Sequence, residues 1–508
     1  MSQLLALIAI AAVCLGTIGA GVLGLRLSRT TSDFYVAGRS VTARRNASAI
    51  SGEYLSAASF LGIAGAVYAS GADSLWLPIG YTCGYLVLLA LVAAPLRRSG
   101  AYTLADFAEM RMESRTIRLV CTCLVVGVSW LYLVPQFQGA GLTVRAVTGW
   151  PPWVGSAVVM LVVVLGVAGG GMRSITLVQA MQYWVKLCAI SIPACVLLWI
   201  WLRDGAPRPP QLVGAGGGRW IEPQSGFTAG GHDVYRTISL LMALCLGTMG
   251  LPHVVVRFYT NPDGRAARRT TAAVIGLLAM FYVFTPVYGV LGRIYLPHLP
   301  PGAAQDSVSL HLSAAMTSPP LAGLLGAVLA GGAFAAFLST ASGVAMSATG
   351  ALDQDLLRPL LRRATGDDVS GVQSFRLAAV LAVLVPYALS HLLEPLGLAT
   401  TVGLAFVITS ATFSPLLVLG IWWRGLTRPG ALAGLAAGGG LAIAAVLTSV
   451  LVDLHGWPRA LLAQPAAWCV PTSLAVMTLV SLATPGRVPR SAGQTLVRLH
   501  TPESIQRP

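Results

Sequence analysis

A few polar residues lie inside long apolar stretches, and their types make them the first candidates for chemistry. Glu53 is an isolated carboxylate, Lys186 is the only lysine of the chain, and Ser339 and Thr340 are adjacent hydroxyls. A charge in apolar surroundings is costly unless it is paired or neutralised. Glu53 and Lys186 are therefore candidates for carrying a proton or pairing with each other, and Lys186 for attracting an anion. The alternative for Glu53 is a purely structural, hydrogen-bonded carboxylate.

The elements that must position these residues are membrane helices. The chain is 55% hydrophobic and 10% charged, with a mean hydropathy of +0.74, whereas a soluble domain carries about 25% charged residues. Apolar runs recur along the whole chain, and about 20 residues suffice to cross a bilayer, so we predict about 13 spans. The net charge of +15 comes from arginines in the short loops between these runs, which indicates membrane topology rather than nucleic-acid binding.

The predicted spans place most arginines on one side of the membrane. They are 3–25, 46–70, 74–96, 117–146, 152–171, 176–202, 236–256, 272–296, 318–352, 373–392, 395–423, 430–452 and 464–484. Because arginine-rich loops stay in the cytoplasm, we expect the N-terminus outside and the C-terminus in the cytoplasm. The predicted location is the inner (plasma) membrane of the cell.

Two spans have the composition of interrupted helices. The segment 51–62 combines glycines and serines with Glu53, and the segment 334–343 contains Ser339 and Thr340. A membrane helix can be interrupted only where its backbone lines a cavity or packs against protein. Hydroxyls together with carbonyls freed by an unwound helix would suit sodium, a hard cation that prefers oxygen ligands. Tight helix packing and hydroxyls bonded to the preceding turn are the open alternatives.

A solute site is expected beside such a cation site, near the bilayer midplane. Half-helix N-termini offer unpaired N–H groups and partial positive charge, which suits a carboxylate. The candidate wall residues are Tyr54, Ser56, Ser59, Gln136, Gln138 and Thr248. The two glutamines could equally satisfy the backbone freed by Pro135.

Several motifs give the chain a family resemblance. The segments 33–40 (DFYVAGRS), 56–62 (SAASFLG), 247–260 (GTMGLPHVVVRFYT) and 338–343 (LSTASG) occur in the order found in the sodium:solute symporters. The chain resembles in particular the cation/acetate, or short-chain monocarboxylate, branch of that family.

The resemblance implies an all-α membrane fold with a five-plus-five inverted repeat and discontinuous helices, similar to LeuT. The implied divisions are 1–45, an extra helix and a basic cytoplasmic loop; 46–202, repeat one; 203–235, an outer loop; 236–423, repeat two; 424–484, two extra helices; and 485–508, a cytoplasmic tail.

The resemblance also implies a site and a function. In the family a cation lies between the first helix of repeat one and the third helix of repeat two. The implied ligands are the backbone carbonyls of Gly52, Leu55 and Ala336 and the side chains of Ser339 and Thr340. The implied function is symport of a small monocarboxylate such as acetate, propionate or pyruvate by alternating access.

The coupling ion would be sodium, favoured by the two hydroxyls, or a proton carried by Glu53 or Lys186. Proline, pantothenate or a sugar are alternative solutes, and a membrane sensor is an alternative class. We expect a small organic anion and the lipid bilayer as partners, no nucleic acid, no cofactor beyond the coupling ion, and no enzymatic activity. The sequence does not indicate an oligomeric state.

Overall fold

The protein is helical throughout the part of the chain that the structure describes. The computed structural model describes residues 2–25, 41–209, 220, 232–365, 371–393 and 396–503. The α-helices are α1 Ser2–Leu25, α2 Ala43–Tyr54, α3 Ile63–Ser70, α4 Trp76–Leu91, α5 Ala93–Ser99, α6 Leu104–Met112, α7 Arg115–Thr148, α8 Pro152–Arg203, α9 Asp233–Gly250, α10 Pro252–Phe258, α11 Gly264–Tyr282, α12 Thr285–Tyr295, α13 Val308–Met316, α14 Pro319–Ala351, α15 Arg358–Thr365, α16 Gly371–Leu392, α17 Leu398–Ala411, α18 Phe413–Trp422, α19 Arg428–Leu451, α20 Gly456–Ala463, α21 Ala466–Ala483 and α22 Ala492–His500. The segment 33–40, most of the loop 203–235 and the end of the tail lie outside the described residues.

The predicted count of thirteen spans is not confirmed. Among the described residues, eleven helices are long and apolar enough to cross a membrane, or twelve if the bent pair α9 and α10 forms one span. The spans predicted at 46–70 and 74–96 are the main difference, because Ala58–Leu91 is counted as a single stretch. Within that stretch Gly71 has φ of +69°, a conformation that glycine adopts without strain, and it separates α3 from α4.

The predicted interruption in the segment 51–62 is present. Helix α2 ends at Tyr54, Leu55 leaves the helical region with ψ of 86°, and Ser56 belongs to no helix. Ala57 then leads into the π-helical turn Ala58–Gly62, which continues as α3. The backbone carbonyls at the end of α2 are therefore available for partners other than the helix itself.

The predicted interruption in the segment 334–343 is wrong. Helix α14 runs without a break through Ser339 and Thr340. The small residues of this segment serve close packing instead: a Cβ added at Gly343 would lie 2.2 Å from the Glu53 carboxyl carbon. Helix α14 thus keeps its backbone bonds and presents its hydroxyls to the end of α2.

A second broken helix occurs at a place that the sequence did not reveal to us. Helices α9 and α10 are bent by 46° relative to each other at Leu251. Pro252 lacks an N–H group and disfavours helical geometry in the preceding residue, which accounts for the extended ψ of 120° at Leu251.

The core that surrounds the first interruption is formed by α2, α7, α8 and α14. Helix α14 packs against α1, α7 and α8, and α2 packs against α8. Gly52 makes this last contact possible, because a Cβ there would meet the Gln179 carbonyl oxygen at 2.2 Å. Helix α8 is kinked at Gly171, where φ is +60°, and counts as two spans, Pro152–Gly169 and Gly171–Arg203. The end of α2 is held close to the second of these, which carries Lys186.

Candidate ion and solute site

The residues that the family resemblance implies as cation ligands lie together at the end of α2. Ser339 Oγ lies 2.8 Å from the carbonyl oxygen of Gly52 and 3.2 Å from that of Ala336. The same cluster contains Leu55, whose carbonyl oxygen lies 2.8 Å from Lys186 Nζ. Leu55, Ala336, Ser339 and Thr340 are 0% exposed, and Gly52 is also buried. Thr340 Oγ1 completes the set by donating to the Glu53 carbonyl oxygen at 2.5 Å.

Lys186 lies at the centre of this cluster. Its ammonium donates hydrogen bonds to the carbonyl oxygens of Gly52 and Leu55 and to Ser339 Oγ. The side chain is 0% exposed. Lys186 therefore binds the carbonyl end of α2 and not, as the sequence had suggested as one option, the Glu53 carboxylate.

Glu53 is paired with an arginine that sequence reasoning overlooked. Arg257 Nε donates to Glu53 Oε2 at 2.5 Å, and both side chains are buried. The guanidinium also donates to Thr176 Oγ1 at 2.8 Å and to Gln179 Oε1. Gln179 Nε2 in turn donates to the Ser339 carbonyl oxygen at 2.7 Å. Arg257 was interpreted as the start of a cytoplasmic loop, and no local pattern shows that it turns inward.

The two candidate glutamines have different positions. Gln136 Oε1 accepts from the Ala57 N–H at 3.0 Å, and its Nε2 donates to the Tyr132 carbonyl oxygen at 3.2 Å. Gln136 thus binds backbone groups of the interruption and of its own helix. This resembles the alternative role of satisfying the backbone freed by Pro135. Gln138 instead donates to the Leu393 carbonyl oxygen at 3.2 Å and lines a cavity of about 630 Å³ whose lining includes none of the cation-ligand residues or Lys186.

The other candidate solute residues surround the interruption with aromatic neighbours. Tyr54 Oη lies 2.9 Å from Thr248 Oγ1, which links the end of α2 to α9. Ser59 Oγ lies 2.9 Å from Tyr282 Oη. Ser56, Tyr54, Ser59 and Thr248 are all buried. The structure therefore brings these four residues together around one interruption.

Three further residues at this place were not proposed as solute ligands from the sequence. Tyr85 packs edge-on against Tyr54 with ring centroids 4.9 Å apart, and Tyr81 does so at 6.0 Å. His253 lies against Tyr132 with centroids 4.7 Å apart. Among the described residues, the hydroxyls of Tyr81 and Tyr85 and both ring nitrogens of His253 are buried without a hydrogen-bond partner. Such groups are uncommon in folded proteins and are typical of places that receive a ligand or water.

Solved structures place the fold among membrane transporters. A Na⁺-coupled sialic acid symporter in its substrate-bound outward-open state is similar with a TM-score of 0.71 and 15% identity, over 94% of this chain and 97% of the other. Mhp1, a nucleobase-cation-symport-1 family transporter in a closed conformation with bromovinylhydantoin bound, is similar with a TM-score of 0.54 and 12% identity, over 92% and 99%. At this identity the likeness concerns the fold alone. The fold is therefore LeuT-like, with discontinuous helices as the family resemblance implied.

Sequence comparison then identifies the family. The model of the sodium:solute symporter family matches residues 34–438. A monocarboxylic acid transporter of Corynebacterium glutamicum is 32% identical over 82% of this chain and 78% of its own length. The uncharacterized symporter YwcA of Bacillus subtilis is 29% identical over 90% of this chain and 86% of its own length. The chain belongs to the sodium:solute symporter family, a family of transporters rather than enzymes, in which sodium is the implied coupling ion.

Proposed function

We propose that this protein is a symporter that takes up a small monocarboxylate of the acetate, propionate or pyruvate type, driven by a sodium or proton gradient. The symporter class follows from the family. The solute is supported by the relative named for monocarboxylic acids and by the chemistry of the interruption in α2.

The observation that carries the choice of an anion is the charge balance at the interruption. Two basic side chains, Lys186 and Arg257, lie there with one acidic side chain, Glu53, and all three are buried. A buried charge without compensation is unfavourable in a membrane. A monoanionic solute would neutralise the surplus positive charge, whereas a sugar would not.

The unpartnered hydroxyls support a carboxylate as the polar part of that anion. Tyr81 and Tyr85 can each donate one hydrogen bond, and the His253 ring can donate another. Tyr54 and Phe406 form the apolar wall around them, with ring centroids 6.3 Å apart. Short hydrogen bonds from neutral donors to a carboxylate are stronger than those between neutral groups. The arrangement suits a carboxylate with a short apolar tail.

Transport would follow by alternating access around this interruption. The end of α2 is bound to α8 and α14 through Lys186, Ser339 and Thr340, and to α9 through Tyr54. A solute that binds between these helices stabilises only those conformations in which all of them are in contact. Solute and cation thus act on the same rearrangement and become coupled.

The function is tested with purified protein in vesicles that are preloaded with unlabelled pyruvate. We expect counterflow of external radiolabelled pyruvate above the rate of protein-free vesicles, which corrects for passive entry of the neutral acid. Acetate and propionate should compete, whereas proline, pantothenate and glucose should not. Competition by one of these last three and not by the short acids would overturn the proposed solute.

A matched pair of variants locates the solute. Tyr85→Phe removes a hydroxyl that has no partner in the protein, so we expect pyruvate to bind about three- to tenfold more weakly, the equivalent of one hydrogen bond, without loss of stability. Tyr288→Phe removes a hydroxyl that already donates to the Ile190 carbonyl oxygen at 2.6 Å. This control should lose stability and keep its affinity. The reverse pattern would exclude Tyr85 from the solute site.

A further inference from the structure

We infer that the ammonium of Lys186 occupies the position of the coupling cation, so that transport by this protein does not require sodium at the site where the family resemblance places it. This inference rests on the proposed function. Its basis is that three of the five expected ligand residues, Gly52, Leu55 and Ser339, already bind one cation that belongs to the chain.

The number of donors matches the number of acceptors. An ammonium group has three N–H donors, and Lys186 directs them to two carbonyl oxygens and one hydroxyl. Sodium would need five or six oxygens, by analogy with other hard cations. The residues present therefore fit a tethered ammonium and do not fit a sodium ion in addition.

The two remaining expected ligands are engaged in other bonds. Thr340 Oγ1 donates to the carbonyl oxygen of Glu53 at 2.5 Å. The Ala336 carbonyl oxygen lies 3.2 Å from Ser339 Oγ. Neither contact includes Lys186. The hydroxyls that favoured sodium in the sequence thus serve to bind α14 to the end of α2.

The helices on either side of Lys186 are closely packed. A Cβ at Gly52 would meet the Gln179 carbonyl oxygen at 2.2 Å, and one at Gly332 would meet the Ala189 side chain at 2.3 Å. Both contacts press neighbouring helices against the part of α8 that carries Lys186. A sodium ion bound by the same oxygens would also be repelled by the positive charge of the ammonium.

Lys186 binds neutral oxygens and not the Glu53 carboxylate. Glu53 is the charged residue nearest to it on α2, but its carboxylate is bound by Arg257 at 2.5 Å. Helix α1, which packs against α8, carries no charged side chain. Arg257 binds Glu53 Oε2, and the ammonium of Lys186 directs its N–H groups to carbonyl and hydroxyl oxygens, as a metal cation would bind them.

The test compares pyruvate counterflow in sodium medium and in choline medium for the unaltered protein and two variants. We expect the unaltered protein to exchange equally in both media. Lys186→Ala removes the charge and opens its space, so sodium should stimulate exchange by about tenfold or more, within the usual range of coupling between two ligands. Lys186→Met removes the charge but fills the space, so exchange should be low in both media.

Exchange by the unaltered protein that stops when sodium is removed would overturn the inference. A folded Lys186→Ala protein that does not respond to sodium would overturn it too, because its oxygens would then form no cation site. If this variant does not fold, the thermal unfolding of the unaltered protein decides. A Tm that rises by about 2 °C or more in sodium relative to choline would contradict the inference, since a bound ion stabilises the folded state.

The same experiment separates this inference from the proposed function. Counterflow that is absent in both media contradicts the proposed function. Counterflow that is present but requires sodium leaves that function in place and contradicts only the role of Lys186.

Discussion

The two broken helices satisfy their freed backbone groups in different ways. At the first interruption, the carbonyl oxygens of Gly52 and Leu55 accept hydrogen bonds from the Lys186 ammonium, and Ser339 adds a hydroxyl. At the second, around Leu251, the partners are neutral. The Ser414 hydroxyl donates to the Leu246 carbonyl oxygen at 2.6 Å.

The second interruption also depends more on steric fit than on polar partners. A Cβ at Gly247 would lie 2.6 Å from the Phe406 carbonyl oxygen, and one at Gly250 would lie 3.0 Å from the Phe413 side chain. Pro252 has no N–H group that would need a partner. The second break is thus stable as a packed bend, whereas the first depends on charged and hydroxyl donors from other helices.

This difference indicates a division of tasks between the two breaks. The first break receives the Lys186 ammonium at its carbonyl end, whereas the helices of the second supply Arg257 as the partner of Glu53 and Thr248 at 2.9 Å from Tyr54. Coupling between ion and solute would therefore pass through Tyr54, the last residue of α2.

The largest effect is expected when the ion pair that joins the two breaks, Glu53 and Arg257, loses one partner. Glu53→Gln leaves the buried Arg257 without its carboxylate, so the free energy of unfolding should fall by about 3–5 kcal/mol. Thermal unfolding in detergent measures the change. The control is Glu113→Gln, because Glu113 forms a half-exposed ion pair with Arg428 at 3.1 Å. This change should alter stability by about 1 kcal/mol or less. Equal effects at both places would contradict a special role for charge at the first break.

Asp306 belongs to neither break and extends the comparison, because its partner is a backbone N–H and not a charged side chain. Asp306 lies next to Gly65 of α3 and accepts a hydrogen bond from the Leu398 N–H at 2.9 Å. Burial raises the pKa of Asp306 to about 6, although the hydrogen bond from Leu398 acts in the opposite direction. The folded protein therefore holds this proton more tightly than the unfolded chain does.

Stability should accordingly fall as the pH rises from about 4 to 6 and then level off. The pKa difference of about 2 units corresponds to about 3 kcal/mol. Asp306→Asn keeps an acceptor for Leu398 and should abolish this part of the pH dependence. Glu113 is the control with the opposite sign, because hydrogen bonds from Ser491 lower its pKa, so that its contribution is lost as the pH falls. An unchanged slope in Asp306→Asn would show that Asp306 is not the group responsible.

The first break was predictable because its signals are local. Glycine, serine and a carboxylate stand together in an apolar run, and few structures other than an interrupted helix tolerate this in a membrane. The membrane fold was predictable from hydropathy, whereas the number of spans was not confirmed, since the two spans predicted on either side of Gly71 form one continuous stretch over Ala58–Leu91. Helix α14 has a similar composition to the first break and yet is continuous, because small residues also permit close helix contacts.

The partners of the charged residues were not predictable in the same way. Lys186 and Gly52 are 134 residues apart, and Arg257 and Glu53 are 204 residues apart. A single sequence gives the types of such residues but not their distances in the fold. The motif that contains Leu251 and Pro252 supported the family, while its role as a bend is seen only in the folded structure.

The smallest effect compares one threonine from each break. Thr340 Oγ1 donates to the Glu53 carbonyl oxygen at 2.5 Å, so Thr340→Val should leave a buried acceptor without this donor and lower stability by about 1–3 kcal/mol. Thr409 Oγ1 lies 3.3 Å from the Gly247 carbonyl oxygen but only 3.0 Å from the Ala405 carbonyl oxygen of its own helix. Thr409→Val should therefore lower stability by less than about 1 kcal/mol. Thermal unfolding and pyruvate counterflow, measured on both variants, should show the larger loss for Thr340→Val. A larger loss for Thr409→Val would mean that the second break, and not the first, depends on its hydroxyl partners.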